Sequence, residues 1–155
     1  MLKMNTGLIE FQKKKTRELL SYARIYLGFR VRNQPLPSLT FEDGVDKLAK
    51  SLNAIKYVYT TSSCGGHLKD NYHLEGNAPY VYGAVWLEYA TDFIESITRI
   101  LRTKQLSTID LIISTPARKT DHFWFCIKSR SEPETEESLK KRRKDFEGLA
   151  KAVLR

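Results

Sequence analysis

Hydrophobic and polar positions follow two different periods along the chain. Apolar residues recur at helical spacing over about 8–27, 41–53, 93–101 and 139–153, which predicts four helices. Segments rich in aromatic and β-branched residues predict strands at 55–60, 80–89, 109–114 and 122–128. These strands do not alternate regularly with the helices. The order therefore predicts an α+β fold, with a mixed or antiparallel sheet of about four or more strands and helices packed on it.

Several residues indicate where these elements begin, end or bend. Gly28 is expected to end the first helix. The spacing in Thr40-Phe-Glu-Asp43 and in Ser131-Glu-Pro-Glu134 is typical of capping boxes, which predicts the starts of the second and last helices. Gly83 lies inside the second strand, so we expect a β-bulge or a close approach of a neighbouring backbone there.

Length and composition favour one soluble domain. The 155 residues are expected to form a single α+β domain, with an N-terminal helix and proline-containing connection at 1–38 and the main body at 39–155. The sequence contains no run of 18 apolar residues and does not begin with the pattern of a signal peptide. Two cysteines are too few for a disulfide framework. These features predict a cytoplasmic protein with no membrane partner.

The net charge of +8 is concentrated at the two ends of the chain. Residues 1–53 and 115–155 each carry more basic than acidic side chains, whereas 54–114 is slightly acidic. Two basic runs are therefore candidates for binding the phosphate backbone of tRNA or another nucleic acid. They consist of Lys13, Lys14, Lys15, Arg17, Lys140, Lys141, Arg142, Arg143 and Lys144. A solvated helix face is the alternative, and the helical turn of about 100° per residue means that only two or three residues of the second run can share one side.

The segment Thr60–His67, with sequence TTSSCGGH, is predicted to be a loop that follows the first strand. Its hydroxyls and glycine N–H groups could form an anion-binding nest. We therefore expect Ser62, Ser63, Cys64 and Gly66 to line one concave surface. The alternative is a turn whose hydroxyls satisfy their own backbone. The candidate cofactor-binding or substrate-binding residues are Thr61, Ser62, Ser63, Cys64, Gly65, Gly66 and His67.

Cys64, His67 and His73 leave two further alternatives open. Together they could bind a metal, although their spacing matches no standard closed zinc site, and no metal is expected. Alternatively, Cys64 could act as a nucleophile with His67 as its base.

Nine aromatic residues on the predicted strands also allow two interpretations. They are Tyr57, Tyr59, Tyr80, Tyr82, Trp86, Tyr89, Phe123, Trp124 and Phe125. An aromatic sheet face can stack nucleobases, but such residues more often fill a core beneath helices.

Two features of the chain resemble those of a known protein family. They are the order of elements and the motif Tyr59-Thr60-Thr61-Ser62-Ser63-Cys64 with the glycine after it. The family that they resemble is the tRNA wybutosine-synthesis methyltransferase family, the third wybutosine-synthesizing enzyme of archaea and eukaryotes. The resemblance extends from about Phe11 to Leu154 and is most specific over Tyr59–Gly66. It implies S-adenosylmethionine-dependent methylation of a tricyclic guanosine in phenylalanine tRNA, with the cofactor or the modified base held by the 61–67 segment.

The chain departs from the family's motif at several positions. Gly65 stands where the family has serine, His67 where it has arginine, and Thr91 near the place of a histidine. The family's C-terminal Gly-Phe-Arg segment is missing. Two hypotheses follow. The chain is either a divergent tRNA methyltransferase, or a non-catalytic relative that binds RNA or another partner with the same surface.

Overall fold

The computed structural model describes residues 6–31, 45–69, 77–114 and 121–153, with side chains of the first helix described only as far as Leu19. The helices are α1 (Thr6–Val31), α2 (Asp46–Asn53), α3 (Ala90–Thr103) and α4 (Glu136–Val153), and the strands are β1 (Val58–Cys64), β2 (Tyr80–Trp86), β3 (Ile109–Ser114) and β4 (His122–Ser129). A short 3₁₀ turn, Leu87–Tyr89, joins β2 to α3.

The four strands form one antiparallel sheet in the order β1-β2-β4-β3. β2 and β4 form its centre, and β1 and β3 form its edges. Helices pack on the sheet, so the predicted α+β fold is confirmed. No helix in the described ranges is both long enough and apolar enough to cross a membrane.

The two faces of the sheet pack against different helices. Val58, Val85 and Phe125 belong to the main core, which also contains buried side chains of α2, α3 and α4. Their neighbours along the strands point the other way because side chains alternate across a sheet. Tyr59 and Ala84 therefore pack with residues of α1 in a second, smaller cluster. In this arrangement α1 and α4 lie on opposite sides of the sheet.

The helix ends differ from the predictions in two places. α1 continues through Gly28 to Val31, so the predicted stop is wrong. A glycine weakens a helix by about 1 kcal/mol but does not by itself end it. The N-cap of α4 is Thr135, whose Oγ1 accepts a hydrogen bond from the Ser138 N–H at 3.1 Å. The prediction that the capping box at Ser131 begins this helix is therefore also wrong. The predicted cap at Thr40-Asp43 lies outside the described residues.

The first strand begins later and ends later than predicted. Residues 54–57 form turns, in which the Ala54 and Ile55 N–H groups donate to carbonyls of α2. β1 then runs from Val58 to Cys64, which places most of the predicted loop in an edge strand. Hydroxyl side chains are tolerated there because an edge strand exposes one side to solvent.

Gly83 occupies the close approach that its position predicts. Thr60 pairs with Gly83 and Ser62 pairs with Tyr82, so Thr61 is the extra residue of a bulge in the facing strand β1. A Cβ atom on Gly83 would lie 2.3 Å from the Tyr59 carbonyl oxygen and 2.8 Å from Cζ of Phe125. The backbone of β1 and the ring of Phe125 therefore leave no space for a side chain.

Candidate nucleic-acid interface

Five exposed lysines surround a groove between α4 and the connection from α3 to β3. We call this surface the lysine groove, and its basic residues are Lys104, Lys140, Lys141, Lys144 and Lys151. Leu106 and Gly148 lie between them. The groove is therefore a concave surface with a concentrated positive charge.

Helical periodicity explains why these lysines lie together. Lys140, Lys144 and Lys151 are four and seven residues apart, which brings them within about 40° on the helix surface. The opposite side of α4 carries Phe146 and Leu149, both fully buried in the core. Burial of this apolar side fixes the rotation of α4 and turns the lysines to solvent.

The carboxylates beside the lysine groove already have other partners. Asp145 Oδ2 accepts hydrogen bonds from Oγ1 of Thr108 at 2.7 Å and from the Thr108 N–H at 3.2 Å. Glu147 forms an ion pair with Lys47 at 3.8 Å. Among the described residues, no ion pair involves a lysine of the groove. Thr108 is a neutral donor, so Asp145 keeps its charge, and five lysines against two carboxylates give the groove lining a net charge of +3.

The two arginines of the same run serve the fold. Arg142 donates to the Ser131 carbonyl oxygen at 3.1 Å and to its hydroxyl at 2.6 Å. Arg143 donates to the carbonyl oxygens of Gly65 and Gly66 at 2.8 and 3.0 Å. Three of the five predicted residues, all of them lysines, thus remain exposed, in line with the expected two or three.

The basic residues of α1 belong to a different surface. Lys14 forms an ion pair with Asp121 at 3.0 Å, and Lys15 donates to the carbonyl oxygens of Asn53 and Ile55, both at 2.7 Å. Burial lowers the pKa of Lys15. Lys13 pairs with Glu10, and Arg17 is exposed. Because α1 and α4 lie on opposite sides of the sheet, the structure does not bring the two basic runs together.

The turn after β1 directs its polar groups inward. The Cys64 thiol is buried, and its Sγ accepts hydrogen bonds from the Gly66 N–H at 3.4 Å and from Nδ2 of Asn77 at 3.3 Å. His67 and Asn77 exchange two backbone hydrogen bonds of 3.0 and 2.9 Å. These bonds, together with those from Arg143, give the turn its partners within the protein, but they come from the Cys64 sulfur, Asn77 and Arg143 and not from the hydroxyls that the capped-turn alternative assumed.

The other predicted site residues do not share one surface with this turn. Ser62 pairs with Tyr82 and Ser63 pairs with Val81, so their side chains lie on opposite faces of the sheet. Thr61 is the bulged residue, and its hydroxyl donates to the Tyr82 carbonyl oxygen. The prediction that these residues line one concave surface is therefore wrong, because the side chains of a strand alternate between its two faces.

The metal hypothesis rests partly on His73, which lies outside the described residues. Within the described ranges, no group of three or more His, Cys, Asp or Glu side chains is arranged to hold a metal ion. Cys64 is buried, with 8% of the residue exposed, which restricts access of a substrate to its sulfur.

The strand aromatics divide between core and surface. Tyr57 stacks on Trp86 with ring centroids 5.5 Å apart, and Phe125 packs on Phe93 at 4.9 Å. Tyr82 and Trp124 also lie with their rings nearly parallel, at 5.7 Å and 16°, but both are only partly buried. The core interpretation therefore applies to Trp86 and Phe125, which are buried, whereas Tyr57, Tyr82 and Trp124 are only partly buried.

An Asp–His–Lys cluster, which sequence reasoning missed, connects α1 to the sheet. Asp121 Oδ1 lies 2.7 Å from Nδ1 of His122 and 3.0 Å from Nζ of Lys14. Burial raises the pKa of Asp121, but the hydrogen bonds from His122 and Lys14 outweigh it, and the net direction is downward. The adjacent Asp and His at the start of a predicted strand were the only sequence signal.

Asp121→Asn is expected to lower the free energy of unfolding by about 1 kcal/mol at pH 7, because it removes a charged hydrogen-bond acceptor. The folded-state pKa of Asp121 is depressed, so its contribution is complete above the unfolded pKa and is lost as pH falls through the folded pKa. Chemical denaturation at several pH values should show the two proteins converging below about pH 4. Asp110→Asn is the matched control, because the Asp110–Arg130 pair is exposed and should contribute less. Equal effects of both substitutions at pH 7 would contradict the role of the cluster.

Lys104 and Lys151 of the lysine groove were also missed by sequence reasoning. Lys151 shares the helical stripe of Lys140 and Lys144, so a helical projection of the whole of α4 contains the signal. Lys104 follows α3, and only the packing of α3 beside α4 brings it to the groove.

Comparisons with protein-family models, with curated proteins and with solved structures found no match to this chain. The wybutosine-synthesis resemblance therefore stays a prediction. In the 61–67 segment, to which this resemblance assigns the S-adenosylmethionine or the modified base, the two glycine carbonyls and the Gly66 N–H are bonded within the protein.

Proposed function

We propose that this protein binds nucleic acid through the phosphate backbone, with the lysine groove as the contact surface, and that it acts by binding rather than by catalysis. The observation that carries the proposal is a group of five exposed lysines whose neighbouring carboxylates are bonded elsewhere. A nucleic acid is a polyanion with a dense line of phosphates, and lysines that neutralise these phosphates release the counterions bound to them.

The chemistry of lysine supports contact with phosphates rather than reading of sequence. An ammonium group is a compact point charge on a flexible stem, so it neutralises a phosphate without fixing the geometry of a base edge. Phosphate contacts position a nucleic acid and carry no direct sequence information. The expected activity is therefore salt-sensitive binding with little preference for sequence.

Methyl transfer is the alternative that the sequence resemblance favours. Its support is the Ser-Ser-Cys-Gly stretch of residues 62–65, which the structure places in an edge strand and a capped turn. Calorimetric titration of the purified protein with S-adenosylmethionine tests it. A measurable heat of binding that disappears in Arg143→Ala, which releases the turn, would favour the methyltransferase hypothesis.

Replacement of Lys140, Lys141 and Lys144 by Gln is expected to weaken binding of tRNA by about 10- to 100-fold at moderate salt and to flatten its salt dependence. Each neutralised phosphate contributes about −0.9 to the slope of log affinity against log salt for duplex regions and about −0.7 for single strands, so three lost contacts change the slope by about 2 to 3 units. Fluorescence anisotropy titrations between about 50 and 200 mM salt measure both quantities.

The matched control replaces Lys13, Lys56 and Lys69 by Gln, which removes the same charge from exposed positions outside the groove. Its affinity and slope should stay close to those of the unchanged protein. Arg142 and Arg143 are left in place because they hold the fold. Equal losses in both variants would mean that only net charge matters, and an unchanged slope in the groove variant would remove the proposal.

A further inference from the structure

The sheet face opposite α4 carries a second surface that the lysine groove does not include. We propose that the nucleic acid bound by this protein is single-stranded, and that its bases stack on an aromatic patch formed by Tyr82, Trp124 and Ile112. The inference deepens the proposed function and rests on it. The aromatic patch would contact the bases of the nucleic acid, whereas the lysine groove would contact its phosphates.

Strand register places the aromatic patch in the middle of the sheet. Tyr82 lies opposite Cys126, and Cys126 lies opposite Ile112, so these three residues form one row across β2, β4 and β3. Trp124 lies two residues from Cys126 along β4, and it pairs with Ala84 and Ser114. All of these side chains point to the same face, because directly paired residues share a face in an antiparallel sheet and residues two apart in a strand do as well.

The aromatic patch is accessible in the described part of the structure. Among the described side chains of α1, Leu8 and Phe11 pack on this face, and they do so at the end that carries Tyr59 and Trp86. Trp124 also packs against this cluster, but both Trp124 and Tyr82 are only partly buried. Ile112 is 49% exposed, although an apolar side chain of this size is usually buried.

The chemistry of the aromatic patch suits nucleobases. The rings of Tyr82 and Trp124 stack on each other, with centroids 5.7 Å apart and 16° between their planes, and the His122 ring lies perpendicular to Trp124 at 4.9 Å. A base would therefore stack on the outer face of Tyr82 or on the part of Trp124 that these rings leave open. Every base has a π-face, so stacking on such rings tolerates any sequence, and it requires bases that are not already stacked in a duplex. Burial raises the pKa of the Cys126 thiol, which keeps the position between Tyr82 and Ile112 neutral.

The end of β4 lies between the aromatic patch and the lysine groove. Lys128 is exposed on the same sheet face as the patch and lies opposite Asp110, which forms an ion pair with the Arg130 guanidinium at 2.9 Å. The Arg130 N–H donates to the Thr108 carbonyl oxygen at 2.8 Å. Thr108 in turn donates to Asp145, the neighbour of Lys144 in the groove. The end of β4 and the groove therefore meet at Thr108. A single strand that stacks on the patch would have to pass this end of the sheet to reach the groove lysines, which lie on the α4 side.

The test uses Trp124 as its own reporter. The chain contains two tryptophans, so Trp86→Phe leaves Trp124 as the sole tryptophan and keeps an aromatic ring in the buried cluster. Titration with oligouridylate of about 20 nucleotides should quench its fluorescence, because a stacked base contacts the indole. The duplex that oligouridylate forms with oligoadenylate of the same length should bind at least tenfold more weakly and leave the Trp124 fluorescence unchanged.

Ile112→Glu tests the same surface without disturbing the core. The position is half exposed, so the variant is expected to fold, and its carboxylate repels phosphates and hinders stacking. Affinity for oligouridylate should fall by about fivefold to a hundredfold. Leu87→Glu is the matched control, because Leu87 is 44% exposed and lies outside the sheet, and it should change affinity less than twofold.

Each outcome decides between the two proposals. Equal binding of single strand and duplex, with unquenched Trp124 and full sensitivity to the groove lysines, overturns the stacking inference and leaves the proposed function intact. Absence of binding to either nucleic acid overturns both. A wild-type dimer that Ile112→Glu converts to a monomer, with unchanged oligouridylate binding, would mean that a second copy of the chain covers the patch, and the inference would fail.

Discussion

Gly83→Ala is expected to lower the free energy of unfolding by about 3 kcal/mol or more, the largest effect of any single substitution considered for this fold. The new methyl group would lie 2.3 Å from the Tyr59 carbonyl oxygen, far inside van der Waals contact. The obstructing atom belongs to the backbone of β1, so relief requires that β1 move away from β2. Thermal unfolding followed by circular dichroism measures the loss, because the melting temperature of a chain of this length falls by about 2–4 °C for each kcal/mol of stability lost.

Gly148→Ala is the matched control for this prediction. Its new methyl group would contact only the end of the Leu106 side chain, at 3.1 Å, and that side chain can shift. Alanine is also the better helix former by about 1 kcal/mol, so the variant is expected to unfold at the same temperature or higher. Similar losses in both variants would show that the effect belongs to glycine replacement in general and not to the contact between β1 and β2.

Arg143→Ala is expected to lower the free energy of unfolding by about 1–3 kcal/mol, because it leaves two partly buried carbonyl oxygens without their donor. The oxygens belong to Gly65 and Gly66, and the same guanidinium holds both. Gly66 has a φ of +79°, so the turn depends on an unusual backbone conformation that these bonds help to fix. Urea denaturation gives the change in free energy directly.

The neighbouring exposed lysine supplies the control for Arg143. Lys141→Ala should change the free energy of unfolding by less than about 0.5 kcal/mol, because its side chain is exposed. For nucleic-acid binding the ranking of the two variants should reverse. Lys141→Ala should weaken the affinity, whereas Arg143→Ala should leave the affinity within about twofold after correction for unfolded protein. An Arg143→Ala protein that unfolds normally but loses binding would assign Arg143 to the interface instead of the fold.

The sequence determined the elements of this protein and their order. Helical periodicity in α3 and α4, and β-branched and aromatic runs in β3 and β4, placed these four elements within a few residues of their observed limits. The signals are local, because each element must present an apolar side to the core at the spacing of its own backbone. Gly83 was similarly informative, since a glycine inside a strand indicates a close neighbour.

The candidate site depended on tertiary structure to a much greater degree. From the sequence alone, Lys140–Lys144 was one basic run and TTSSCGGH was one polar loop. Packing divided the run into lysines that face solvent and two arginines that bond within the protein, Arg142 to Ser131 and Arg143 to the turn after β1. Strand pairing placed most of the polar segment in an edge strand, so that Ser62 and Ser63 lie on opposite faces.

The physical reason is that side-chain partners far apart in sequence decide what a polar residue does. Arg143 and Gly65 are separated by 78 positions, and Lys14 and Asp121 by 107, so no local pattern contains either contact. Local spacing determines which side of a helix or strand is apolar. The packing of those apolar sides determines which basic groups become internal donors and which, like Lys140 and Lys144, remain available to a ligand.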